Sequence, residues 1–179
     1  DLRKALAELP PPKADLWPAL RRQLEAAALI EAEGIPGLRV PYLRFHPTLA
    51  PMLWAELGQE DRTQLATAHR QRYYALSGYL YRDDSRNPHQ VRAISRRELP
   101  NLLYAVHAAL DTGDPDAVEF ADSVNRFLDI FGLKQEQTAL SAKARAAAGE
   151  VGSQAWVLAE SNRGEQLFDS GQVAAAMAV

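Results

Sequence analysis

Cysteine is absent from the 179 residues, which excludes disulfides, thiolate metal sites and cysteine nucleophiles. Long apolar runs are missing too. Stretches such as Ala26 to Ile30 and Ala146 to Ala148 fall far short of the roughly 20 residues that cross a bilayer. The opening Asp1-Leu2-Arg3-Lys4 lacks the apolar stretch of a signal peptide. No sign of charge dominates, since 20 basic and 23 acidic side chains leave a formal −3. Net charge therefore points to neither a nucleic acid nor a membrane. Together these absences predict a cytoplasmic location.

The signatures of chemistry are missing as well. There is no Gly-x-x-x-x-Gly-Lys-Ser/Thr phosphate loop and no Gly-x-Ser-x-Gly nucleophile turn. His69 and His107 fall beside apolar residues at helical spacing and His89 lies near a loop, none with a second histidine four residues on. No metal site is expected. The carboxylate pairs Asp83-Asp84 and Asp114/Asp116 sit in turns, where capping and solubility account for them. The reading is of a chain without catalytic residues and without a bound cofactor of its own.

What is present favours helix. Hydrophobic residues make up 47% and charged residues 24%, an ordinary globular composition rich in good helix formers. Leu2 to Leu9 reads as a short amphipathic helix stopped by Pro10-Pro11-Pro12. Asp15 is a plausible cap for a helix carrying Leu16, Leu20, Leu24 and Ala27. Leu29 to Ala32, the turn chemistry of Gly34-Ile35-Pro36-Gly37, and Val40, Tyr42 and Phe45 suggest a β-hairpin. Pro47 and Gly58 bracket the next helix.

From residue 59 onward only helices are expected. They run over about 60–81, from a Ser95/Glu98 capping box to Leu110, from Asp114-Pro115 to Phe131, over 135–148 and over 153–169. The tyrosines and phenylalanines mostly fall at core spacing, with Tyr74 and Tyr81 outside it. Arg92, Arg96 and Arg97 read as a solvated helix start. Short turns between such helices predict a mainly α fold of antiparallel α-hairpins, an α-solenoid type.

Two patterns go beyond fold class. Trp156, Gly164, Leu167, Phe168, Gly171 and Ala176 match the spacing of a tetratricopeptide repeat. Gly164 is expected to allow close helix approach, Gly171 to make the turn, and Ala176 to be the small residue facing the first helix. Gly132 and Gly113-Asp114-Pro115 mark weaker, repeat-like turns. Upstream, Leu24 to Ile30, the hairpin, and Leu43-Arg44-Phe45-His46-Pro47-Thr48-Leu49-Ala50-Pro51-Met52-Leu53 resemble the end of a winged-helix domain. Glu98-Leu99-Pro100-Asn101-Leu102-Leu103-Tyr104-Ala105-Val106 looks like the opening of a bacterial repeat region.

In this order, the elements resemble signal-transduction ATPases with numerous domains, over about Trp17 to Val179. The resemblance implies a winged-helix-like module over 1–58 and a tetratricopeptide-like sensor region over 59–179. It also implies a role for His46, which matches the histidine of the family's Met-His-Asp-type motif and would sense the ADP phosphate in a neighbouring core. Phe45 and Pro47 stand in the other two positions of that motif. ADP or ATP would then bind in the parent protein. Residue 1 is aspartate, and Ala174 to Val179 reads as the first turns of a helix. A fragment of a longer chain is expected on both grounds.

The functional expectation is a regulatory segment that couples partner or ligand binding to a nucleotide switch. Its partners would be a protein, a peptide or a small effector, together with the neighbouring ATPase domain. A second copy of the chain is a further expected partner, because an incomplete last hairpin leaves an apolar face open. A freestanding helical-repeat adaptor is the alternative, and a winged-helix transcription regulator is a third. Arg21 and Arg22, opposed by Glu25, make a weakly basic recognition helix for the last.

Overall fold

Pro18 occupies the first turn of helix α1 (Trp17–Ala26), where a missing N–H costs nothing. In this computed structural model the described residues are 16–35, 38 and 41–179. The expected helix over Leu2 to Leu9, Asp15, Pro36-Gly37 and Val40 lie outside them. Strands β1 (Ile30–Glu33) and β2 (Tyr42–Phe45) follow α1 and pair antiparallel, with Ile30 opposite Phe45 and Glu31 opposite Arg44. Oppositely charged side chains facing each other across a strand pair are a favourable cross-strand contact, and Arg44 and Glu31 form an ion pair here.

The remaining elements are helices: α2 (Leu49–Glu56), α3 (Gln59–Asp83), α4 (Pro88–Thr112), α5 (Ala117–Ile130), α6 (Lys134–Ala147), α7 (Gln154–Asp169) and α8 (Val173–Ala176). Among the described residues the fold is mainly α with one two-stranded hairpin. No helix among the described residues is long and apolar enough to cross a membrane.

Four helices end in the same way. Just past the helix, one amide bonds the carbonyl five residues back, and the amide before it bonds the carbonyl three residues back. The pairs are Leu29 to Leu24 and Ala28 to Glu25, Asp114 to Ala109 and Gly113 to Leu110, Leu133 to Leu128 and Gly132 to Asp129, and Gln172 to Leu167 and Gly171 to Phe168. This Schellman closure needs a left-handed residue. Glycine supplies it in three cases, and at α1 Ala28 adopts φ 54°. A left-handed alanine costs roughly 1–2 kcal/mol, so only three of the four stops are written as glycine.

The chain divides into two compact units, with the boundary between Ala68 and His69 inside α3. In the first, Ile30 and Leu49 are the buried hydrophobic residues among those described. Leu16, Trp17, Leu20, Phe45, Met52, Leu53, Trp54 and Leu65 are exposed. Arg62 covers the Trp54 ring at 5.7 Å and donates to the Trp54 carbonyl, tying the start of α3 to the end of α2.

The second unit has a continuous core. Leu102, Val106 and Leu110 of α4 meet Phe120, Val124 and Leu128 of α5 and Leu140 of α6, all buried. A neighbouring cluster joins Leu80 of α3, Val91 of α4 and Phe127 of α5. A third joins Val118, Ala148 and Ala159, with Trp156 packed against it. Burying each large apolar side chain contributes about 1.5–3 kcal/mol, so this unit rests on α4, α5 and α6.

Several local expectations change. Ser95 caps nothing: α4 starts at Pro88, and Ser95 is fully buried inside it with its hydroxyl unpartnered. The helix continues past Pro100, which lies on its exposed face. Helix α5 begins at Ala117, not at Pro115, and Asp114 instead accepts from the Asp116 amide in the preceding turn. Tyr79 and Tyr104 are exposed, not core. Tyr74 is half-buried, with its ring 5.8 Å from Phe120. Burial there, with Glu119 nearby, pushes its hydroxyl pKa up to about 12.

Asp84 overturns the reading of its turn most clearly. It is 3% exposed and accepts from Arg92 at 3.2 Å and Arg126 at 3.3 Å. One buried carboxylate thus holds the end of α3, the start of α4 and the middle of α5. Arg92 is accordingly an ion-pair partner of Asp84, not simply a solvated cation.

Candidate binding groove

Positions 0, +3, +4 and +7 of an α-helix share one face. In α5 those positions hold Asp122, Asn125, Arg126 and Asp129, and forty residues later α7 holds Asn162, Glu165, Gln166 and Asp169. The two sets line a single groove, with Gln137 of α6 and Tyr81 of α3 completing its wall. The groove lies wholly within the second unit.

Hydrogen bonds fix its walls. Asn162 Nδ2 donates to Asp122 Oδ1 at 2.8 Å, joining α7 to α5. Ser141 Oγ of α6 accepts from Asn125 Nδ2 at 3.1 Å and from Gln166 Nε2 at 2.5 Å. Arg126 turns its guanidinium to Asp84 and lies over the Tyr81 ring at 5.1 Å. Lys134 pairs with Asp129.

Two features are left over. Asn125 is 5% exposed, yet its Oδ1 has no hydrogen-bond partner. Turning the amide over would leave Nδ2 in that place, so either orientation strands one polar atom of a groove residue. Leaving such an atom unsatisfied costs about 1–3 kcal/mol. The second feature is charge. Four carboxylates line the groove against one guanidinium, and that guanidinium is already bonded to Asp84.

On the opposite side of α7, Glu160 is buried and bonded to Arg145 of α6 and Arg163. Those hydrogen bonds, Arg145 first, outweigh the upward push of burial and hold its carboxyl below the usual range. The concavity there, lined by Thr138, Arg145 and Leu167, has its cations committed to Glu160. Among the described residues no cluster of histidine, aspartate or glutamate is arranged to hold a metal ion.

The residues singled out by sequence fall in two places. His46 is exposed where β2 leaves the hairpin, and its amide donates to the Leu29 carbonyl at 2.8 Å. Its Nδ1 lies 2.7 Å from Thr48 Oγ1 and accepts from the Thr48 amide at 3.3 Å. An accepting Nδ1 puts the neutral ring's proton on Nε2.

The tetratricopeptide-type positions gather on α7 and α8. Trp156 is half-buried against the Val118 cluster, and Ser153 caps the helix by accepting from its amide. Leu167 is half-buried, Phe168 is 63% exposed, and Gly171 makes the turn at φ 78°. Gly164 does face Ala176, but a Cβ there would come no nearer than 4.0 Å to the Ala176 carbonyl or to Val179. That is ordinary contact, so closeness of approach does not require glycine.

Sequence reasoning missed the groove itself. Its signal was available as two polar quartets with identical helical spacing, but each residue taken singly looks like solvated surface. No protein-family model, curated protein or solved structure matches the chain.

Proposed function

We propose that the chain is a non-catalytic binding segment whose helical hairpins hold a protein or peptide partner in the groove between α5 and α7. The observation that supports this most directly is Asn125, a buried amide left one bond short in the wall of a polar concave surface. A groove fixed by bonds among three helices is preorganised, which lowers the ordering cost of binding. The test is a selection from random peptides, with the winners mapped by NMR on the side-chain amides of Asn125, Gln137, Asn162 and Gln166. Winners that shift these signals fit the reading. Winners that shift only other surfaces would remove it.

The resemblance to signalling ATPases adds a second layer, in which partner binding biases a nucleotide switch in the parent chain. The observation favouring it is His46, exposed with Nδ1 occupied by Thr48 and Nε2 left to donate outward. A donor so placed suits a phosphate oxygen. His46→Ala in the parent protein is expected to speed ADP release several-fold. Unchanged ADP retention would take His46 out of the mechanism.

A further inference from the structure

Building on the groove as a binding site, we infer that its occupant is an extended peptide segment bearing arginine or lysine. The charge balance comes first. Of the groove carboxylates Asp122, Asp129, Glu165 and Asp169, Asp129 is paired with Lys134, and the one guanidinium lining the groove is already bonded to Asp84, so negative charge remains in excess. Glu165 has no partner among the described residues, and Asp169 meets only the distant charge of Lys134. An anionic partner, including a nucleic-acid backbone, would meet net repulsion in this groove.

The length of the groove argues for a peptide. Seven residues of helix rise about 10 Å, which matches about three residues of extended chain. Amides on α5 and α7 can meet peptide N–H and C=O groups, and the carboxylates can fix a cationic side chain. Asn125 lines the groove with its Oδ1 unpartnered and closed off from solvent, so a donor from the peptide reaches it, and relieves a cost the free protein bears, once the wall opens. A metal ion is a poorer fit, because the carboxylates are spread along two helices and do not converge.

The experiment uses the full chain and three fluorescein-labelled peptides, repeats of Arg-Gly-Ser, Ala-Gly-Ser and Glu-Gly-Ser. The Arg-Gly-Ser peptide is expected to bind saturably, to weaken as salt is raised, and to shift the Asn125 side-chain amide. The double variant Glu165→Gln/Asp169→Asn, with its circular dichroism unchanged, is expected to lose about fivefold to tenfold in affinity. If the neutral or acidic peptide shifts the groove amides and the basic one does not, the charge assignment is overturned and the groove reading survives. If no peptide moves those amides, both fall. If the basic peptide binds the double variant equally well, it binds elsewhere and the inference is wrong.

Discussion

Phe127→Ala is expected to cost about 3–5 kcal/mol, the range for truncating a buried phenylalanine. Phe127 is fully buried where Leu80 of α3 and Val91 of α4 meet α5, and its ring stacks on Phe131 at 6.5 Å. Arg96 covers the other ring of that pair at 5.1 Å, so the cluster has little freedom to collapse into the space left behind. Domains of this size hold only about 5–15 kcal/mol in total, so one substitution removes a large share. Urea denaturation of both proteins measures it. A loss under about 1 kcal/mol would mean that α3, α4 and α5 do not converge on this ring.

Asp84→Ala carries the second large effect, about 2–3 kcal/mol. The carboxylate accepts from two guanidiniums, and hydrogen bonds to charged groups are worth about 1.5–3 kcal/mol each. The loss stays below their sum because Arg92 and Arg126 are each nearly half exposed and regain water once released. Burial pushes the Asp84 carboxyl up, but the bonds from Arg92 and Arg126 outweigh it and hold the pKa below 3.8. A carboxylate with a depressed folded pKa gives its full stabilisation above the unfolded value. That stabilisation fades as pH falls through the folded one. The difference between wild type and variant is therefore expected to be full at neutral pH and to shrink below about pH 4, read from denaturation curves across that range. A pH-independent difference would assign the effect to packing. Released Arg126 would also bring an uncompensated cation into the groove, so the same variant is expected to weaken the basic peptide.

The helical character of the fold was legible because its punctuation is explicit. Gly113, Gly132 and Gly171 each take the left-handed position after a helix, and the helix expected over 153–169 forms as α7, capped by Ser153. The β-hairpin could be read from Tyr42 and Phe45 even though Pro36 and Gly37 lie outside the described residues. What failed was local chemistry overruled by tertiary packing. Ser95 and Glu98 have the spacing of a capping box, but Val91 and Ser95 are needed on the buried face, and the helix runs straight through them. Asp84 looked like a turn residue because nothing in its own neighbourhood announces Arg126, forty-two positions away. The groove had the same obscurity: its meaning lies in the pairing of two helices, and single residues do not show it.

Helix α5 packs against α4, α6 and α7 and supplies Phe120, Val124 and Leu128 to one cluster, Phe127 to another and Val118 to a third. Its nearest partners are joined to it by the turns at 113–116 and 131–133. Closing such short loops is cheap in entropy, and chains dominated by local contacts fold in microseconds to milliseconds. The order of assembly follows: α5 can zip with α4 or α6 first, and α7, which packs on both α5 and α6, completes its surface only after those two have joined. The walls of the groove therefore come together among the last events of folding and separate among the first of unfolding, although the helices that bear them are well formed.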